Sequence, residues 1–141
     1  MIDKKLQDPL SLILIRICLR GKYAISAIAD ANGVTAIQAI TLCVLEPNTP
    51  FPMSHLANFL SCDLSSVSGI VERLVASDFV ERREWAQDRR VKTITLTAKG
   101  NALRHSLLEV AMEKRLPYLN RLTQQETAQL LKLLIKATEK S

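Results

Sequence analysis

Residues 54–97 read SHLANFLSCDLSSVSGIVERLVASDFVERREWAQDRRVKTITLT. The stretch opens with two short amphipathic segments, 54–60 and 64–77, which a polar turn separates. Two strand-like runs follow at 79–85 and 91–97, and a polar connection with two adjacent arginines joins them. Two short helices across a tight turn form a helix-turn-helix, and a hairpin directly after this motif forms a wing. The stretch therefore predicts a winged helix-turn-helix with a two-stranded β wing.

Capping residues and hydrophobic spacing define the two helices of this motif. Ser54 is predicted to cap the first helix and Asp63 the second, because both side chains accept hydrogen bonds from free backbone N–H groups. Apolar residues at helical spacing predict that the second helix buries one stripe. The predicted buried stripe consists of Leu64, Val67, Ile70, Val71 and Leu74. The opposite face carries Ser65, Ser66, Ser68, Gly69, Glu72 and Arg73.

The outward face of the second helix is a candidate nucleic-acid surface. A helix fits the major groove of B-DNA, which is about 12 Å wide, and its N-terminal N–H groups attract phosphates. Small hydroxyl side chains such as Ser65, Ser66 and Ser68 allow a close approach while they supply hydrogen-bond donors. A solvated helix face explains the same serines, so this pattern leaves both interpretations open.

The hairpin tip places three cations beside one anion. These residues are Asp88, Arg89, Arg90 and Lys92. An arginine at such a tip is suited to the minor groove, whose negative potential is strongest where the groove is narrow. Asp88 is placed to pair with a neighbouring arginine and hold the tip in shape. The alternative is a charged surface turn without a partner.

The N-terminal segment predicts a helix from about Pro9 to Ala31, which Asn32-Gly33 ends. Between Leu10 and Leu19 apolar residues occupy almost every side, and a helix of this kind is buried on most sides. Because the chain has only 141 residues, a partner subunit is the expected cover.

Two capping boxes mark further helices. The segment 35–38 (TAIQ) opens a helix that runs to about Leu45, and 123–126 (TQQE) opens the last helix. Another helix is predicted from about 98 to 121, with a bend at Pro117. The last helix carries an apolar stripe of Leu130, Leu131, Leu133, Leu134 and Ala137.

These elements predict a mainly α fold in three parts. Residues 1–33 form an N-terminal dimerisation helix, 34–97 a winged helix-turn-helix domain that binds DNA, and 98–141 C-terminal dimerisation helices. The apolar ends of the chain are expected to pack together with those of a second copy, which makes a homodimer.

The composition fits a folded protein with an anionic partner. Hydrophobic residues make up 48% and charged residues 23%, which is inconsistent with a disordered chain. The net charge of +5 is compatible with nucleic acid but does not require it. The apolar run 10–19 is shorter than the roughly 20 residues that span a bilayer, and it lacks a signal-peptide cleavage site. A cytoplasmic protein without a membrane segment is expected.

Catalytic and metal chemistry have little support in the sequence. His55 and His105 lie far apart, and the three cysteines form no CxxC pair. We therefore expect no enzyme activity, no metal site and no cofactor. Cys18 and Cys43 are expected in the core, and Cys62 in the polar turn is the most exposed candidate for a sensing thiol.

Residues 34–103 resemble the MarR family of bacterial and archaeal regulators. Residues 54–60 are similar to the first helix of that family's helix-turn-helix, 65–74 to its recognition helix and 79–83 to the start of its wing. Residues 88–97 follow the family's D-x-R-x5-L-T wing pattern. The resemblance covers about half of the chain.

This resemblance implies a homodimer that binds double-stranded DNA at a palindromic operator, usually as a repressor. Many such proteins release DNA when a small-molecule effector binds or a cysteine is oxidised. The residues expected to contact DNA or position the contacts are Ser54, Ser65, Ser66, Ser68, Gly69, Arg73, Arg83, Asp88, Arg89, Arg90 and Lys92.

Two positions depart from the family pattern. Gly69 stands where relatives often carry a long polar side chain, which leaves the operator sequence open. Asp78 stands where relatives usually have the glycine that ends the recognition helix, and Asp tolerates a left-handed backbone better than most residues.

Two other functions remain open on the sequence alone. One is a winged helix that binds only a protein partner, and the basic tip speaks against it. The other is a thiol-based redox-sensing regulator that uses Cys62 or Cys18.

Overall fold

The computed structural model describes residues 4–113 and 119–139. Its helices and strands follow one another in the order expected for a winged helix-turn-helix. They are α1 (Lys4–Ala31), α2 (Ala36–Val44), β1 (Phe51–Pro52), α3 (Met53–Leu60), α4 (Leu64–Ala76), β2 (Val80–Trp85), β3 (Asp88–Leu96), α5 (Ala98–Glu113), a 3-10 turn (Leu119–Arg121) and α6 (Gln124–Thr138). The mainly α fold class is confirmed. Within the described residues, no helix is both long and apolar enough to cross a membrane.

The sheet has three antiparallel strands in the order β1-β3-β2. The hairpin of β2 and β3 is the predicted wing. The third strand, β1, pairs Phe51 with Ile94 and Pro52 with Thr93. Strand β3 begins at Asp88 rather than at Val91, so the predicted five-residue connection is in fact a two-residue turn. A register shift between Glu84 and Trp85 accommodates this tighter hairpin.

Helix α1 starts at Lys4, before the predicted start at Pro9. Proline is best tolerated in the first turn of a helix, and Pro9 lies beyond it, where it cannot donate to the Lys5 carbonyl. The predicted end at Gly33 is confirmed. Gly33 has a φ of 70° and donates to the Asp30 carbonyl, while Val34 donates to the Ala29 carbonyl.

Two capping boxes form as predicted. Thr35 accepts from the Gln38 backbone N–H, and the Gln38 side chain accepts from the Thr35 N–H. Thr123 and Glu126 make the same reciprocal pair at the start of α6. The predicted helix from 98 to 121 ends at Glu113 within the described residues, and the bend predicted at Pro117 lies outside them.

One hydrophobic core joins the helix-turn-helix to the flanking helices. Ala29 of α1 and Leu103 and Leu107 of α5 belong to the same buried cluster as Leu56 and Val71 of the helix-turn-helix. The core therefore runs across the boundaries drawn at residues 33 and 97, and the division into three parts stays a prediction.

Two residues of the helix-turn-helix do not lie where the sequence predicted. The N-cap of α3 is Pro52, without a side-chain hydrogen bond, so Ser54 lies inside the helix instead of capping it. The reason is that β1 pairs with β3 and holds Pro52 extended until the helix begins. Leu64 is exposed, whereas Val67 and Leu74 of the same stripe are fully buried, because Leu64 opens into a cleft between α3 and the wing.

The positions of the cysteines also differ from expectation. Cys18 is exposed and Cys62 is half-buried against the core, the reverse of the predicted order. The outer face of α1 is uncovered within one chain, which exposes Cys18. Burial raises the pKa of the half-buried Cys43 thiol, and this opposes a reactive thiolate there.

Replacing Asp78 with glycine is expected to stabilise the protein. Asp78 has a φ of 60° at the end of α4, a conformation that costs a residue with a Cβ and is free for glycine. We expect Asp78→Gly to raise the free energy of unfolding by about 0.5–1 kcal/mol, measured by denaturant titration. Ser77→Gly is the control, since Ser77 has a φ of −90° and gains nothing from glycine. Equal or lower stability of Asp78→Gly would contradict this explanation.

Candidate nucleic-acid interface

Asp63 caps the N-terminal turn of α4. The Asp63 carboxylate accepts from the Ser66 backbone N–H at 2.7 Å, and this hydrogen bond lowers the pKa of Asp63. The carboxylate is therefore ionised at neutral pH. Ser65 and Ser66 are exposed on this turn, and Ser68 is half-buried one turn further along. The turn presents hydroxyl groups on a rigid helix end.

The wing tip holds one arginine in a defined conformation. Both oxygens of Asp88 accept from the Arg90 guanidinium, at 3.1 Å to Nε and 3.0 Å to Nη2. The Arg90 backbone N–H also donates to Asp88 at 3.0 Å. The pairing lowers the pKa of Asp88 and raises that of Arg90. The Arg90 side chain remains 91% exposed, so Asp88 orients it and it stays accessible to an anionic partner.

Neighbouring arginines of β2 lie on opposite sides of the wing. Arg82 pairs with the buried Ile94 and lines the cleft beside α4, whereas Arg83 pairs with Thr93 on the other face. Arg83 makes an ion pair of 2.8 Å with Glu81, away from the recognition helix. The site residue selected from the sequence was Arg83, but Arg82 is the arginine on the side of α4. Strand alternation from Val80 was the signal that identifies Arg82.

A cleft of about 290 Å³, here called the wing-side cleft, lies between the wing and the helices α3 and α4. Three cations line it, namely Arg82, Arg90 and Lys92. None of the described residues that line it carries a carboxylate, but two carboxylates outside the lining pair with its cations: Glu84 with Lys92 at 2.7 Å and Asp88 with Arg90 at 3.0 Å. Ser54 and Ser68 supply hydroxyl groups from the helix side. The cleft thus combines positive charge with hydrogen-bond donors, which suits a phosphate backbone.

A second cleft of about 340 Å³, here called the α2-side cleft, lies on the other side of α4. Arg73, Gly69 and Ser66 line it from α4, and Thr35 lines it at the N-terminus of α2. This helix end adds a partial positive charge to that of Arg73. Helix α4 therefore lies between two cation-bearing clefts, as a helix in the major groove lies between two phosphate backbones.

Most residues selected from the sequence come together on this surface. The wing-side cleft brings together Ser54, Ser68, Arg90 and Lys92, and the α2-side cleft brings together Ser66, Gly69 and Arg73. Ser65 is exposed on the first turn of α4, and Arg89 is exposed at the wing tip. Arg83, in contrast, lies on the face of the wing opposite to α4.

This geometry defines the chain as a winged helix-turn-helix protein with a basic recognition surface. Residues 34–92 match the model of the MarR family.

A curated repressor is similar to part of this chain. The HTH-type transcriptional repressor NicR of Pseudomonas putida is 34% identical over 80 residues, which cover 57% of this chain and 51% of NicR. The chain therefore matches about half the length of this curated relative.

Solved structures share the fold over nearly the whole chain. A cysteine-to-serine mutant of MarR from E. coli, crystallised with operator DNA, has a TM-score of 0.71 and 25% identity. That match covers 96% of this chain and 99% of MarR. CouR from Rhodococcus jostii has a TM-score of 0.83 at 20% identity, covering 99% of this chain and 98% of CouR.

Proposed function

We propose that this protein is a sequence-specific regulator of transcription that binds double-stranded DNA as a homodimer and acts as a repressor. It works by binding rather than catalysis, in the cytoplasm, at a palindromic operator. The observation that carries the proposal is the position of α4 between two cation-bearing clefts, with Arg90 oriented at the wing tip. The similarity to the repressor NicR and to MarR with operator DNA supports it.

Each part of the surface has a distinct role in this proposal. The first turns of α4 enter the major groove, where Ser65, Ser66 and Ser68 meet base edges. Arg90 enters the adjacent minor groove, and Asp88 is a positioning residue for it. Contacts to phosphates come from Ser54, Arg73, Arg82, Arg89 and Lys92.

Replacing Arg90 tests the role of the wing. Arg90→Ala is expected to lower affinity about tenfold for a duplex selected from a random pool, because an exposed cation that reaches DNA is lost. The slope of log affinity against log salt should fall by about one unit. Fluorescence anisotropy at several salt concentrations measures both effects.

Arg83→Ala is the matched control for this experiment. It removes an exposed arginine of the same hairpin that pairs with Glu81 on the opposite face. We expect an affinity within about twofold of the wild type. Equal losses for Arg90→Ala and Arg83→Ala would contradict the assigned orientation of the wing. A salt-independent affinity in the wild type would instead favour a protein partner.

The ends of the chain support the proposed homodimer. Helix α6 has no buried residue, and α1 exposes a run of large apolar side chains. The exposed apolar residues of these helices are Leu10, Leu12, Ile13, Leu14, Ile15, Leu19, Tyr23, Leu131, Leu133, Leu134 and Ile135. Contiguous exposed apolar side chains indicate an interface, and a second copy of the chain would bury them.

We also propose that a small-molecule effector releases the protein from DNA. The support is the structure of CouR, a protein of the same fold that was solved with p-coumaroyl-CoA bound. A thermal-shift screen of small organic acids and their thioesters, followed by DNA release with each hit, tests this step. A hit that stabilises the protein without releasing the duplex would contradict it.

A further inference from the structure

Leu64 occupies an unusual position for a large apolar residue. It is the first residue of α4 and is 57% exposed, although its spacing places it in line with the buried Val67 and Val71. Its side chain lines the wing-side cleft together with Ser68 and Arg90. Because the cleft lies between Leu64 and the wing, the Leu64 side chain is not part of the hydrophobic core.

The surroundings of Leu64 restrict what it can contact. Three cations and two serines line the same cleft, and a wholly apolar partner would offer these donors no acceptor beyond the Asp88 and Glu84 carboxylates that pair with Arg90 and Lys92. A suitable partner has one small apolar group among many acceptors. On the base edges of the major groove, B-DNA offers one such group, the 5-methyl of thymine, next to base acceptors and phosphates.

The position of Leu64 along the helix agrees with this partner. Side chains in the first turn of a recognition helix reach base edges. Ser68 follows Leu64 by four residues, so the two side chains are neighbours on one face. The hydroxyl of Ser68 is thus placed to bond a base next to the one that Leu64 contacts.

We propose that Leu64 determines sequence specificity by packing against the 5-methyl group of a thymine in each half-site. The inference rests on the proposed binding of duplex DNA and adds a preference for a base at a defined position. Burial of one methyl-sized group corresponds to about a fourfold change in affinity.

Uracil substitution isolates this contact, because deoxyuridine pairs as thymidine does and lacks only the 5-methyl group. The probe is the duplex that the wild type selects from a random pool, with each thymine replaced in turn by uracil. One position per half-site is expected to lower wild-type affinity about fourfold. Leu64→Ala is expected to bind the thymine duplex about fourfold more weakly and to show no further loss with uracil there.

Phe59→Ala is the matched control, because Phe59 is 60% exposed and lies outside the cleft. It should keep the uracil penalty of the wild type. If the wild type binds the selected duplex but tolerates uracil at every position, or if Leu64→Ala shows the same uracil penalty, the inference is overturned while DNA binding stands. If the wild type binds no duplex at any salt concentration, the proposed function falls and this inference with it.

Discussion

The double variant Leu12→Glu with Leu131→Glu is expected to be monomeric at micromolar concentration and to bind its selected duplex more than about 100-fold more weakly than the wild type. The two leucines are 67% and 59% exposed in a single chain, so glutamate costs little there in a monomer. In an interface between copies the same change buries unpaired carboxylates, whose desolvation is costly. A monomer cannot hold two recognition helices about 34 Å apart on one face of DNA.

Sedimentation equilibrium and DNA titration measure these two effects separately. Phe59→Glu is the matched control, since Phe59 is 60% exposed and lies in α3, outside both terminal helices. This control should remain dimeric. A double variant that stays dimeric, or a wild type that sediments as a stable monomer, would show that the ends of the chain do not form the interface.

Gly100→Ala is expected to lower the free energy of unfolding by about 3 kcal/mol. A Cβ on Gly100 would lie 1.8 Å from the Phe79 carbonyl oxygen and 2.8 Å from its carbon. Because these are backbone atoms, no rotamer change relieves the overlap. The same oxygen accepts from the Thr97 N–H, which joins the start of the wing to the start of α5. Moving the Phe79 carbonyl therefore disturbs both the wing and α5.

Denaturant titration at a fixed protomer concentration measures this loss, because dimer stability depends on concentration. Gly69→Ala is the matched control. No atom lies within 4 Å of a Cβ on Gly69, and alanine is favoured over glycine inside a helix. We expect this control to be more stable by up to about 1 kcal/mol. Equal midpoints for Gly100→Ala and the wild type would show that α5 shifts freely on the wing.

The sequence alone determined the features that depend on neighbours in the chain. The boxes at 35–38 and 123–126 and the cap at Asp63 join residues three apart, so their hydrogen bonds follow from local spacing. The Asp88–Arg90 pair spans two residues in the same way. Apart from β1, the order of helices and strands followed from hydrophobic periodicity, and the resemblance to the MarR family followed from the motifs of the helix-turn-helix and wing.

The tertiary structure alone decided which side chains face the candidate interface. Whether Leu64 is buried depends on how far α3 and the wing extend over the first turn of α4, which no local pattern encodes. Short β1 exists because Phe51 and Pro52 meet Ile94 and Thr93, some forty residues away in the sequence. This pairing makes Pro52 the N-cap and starts α3 at Met53, so Ser54 lies inside the helix. Strand alternation places Arg82 on the same side of β2 as Val80, but only the register of β2 on β3 shows that this side faces α4, because a shift of one residue exchanges the two faces of a strand.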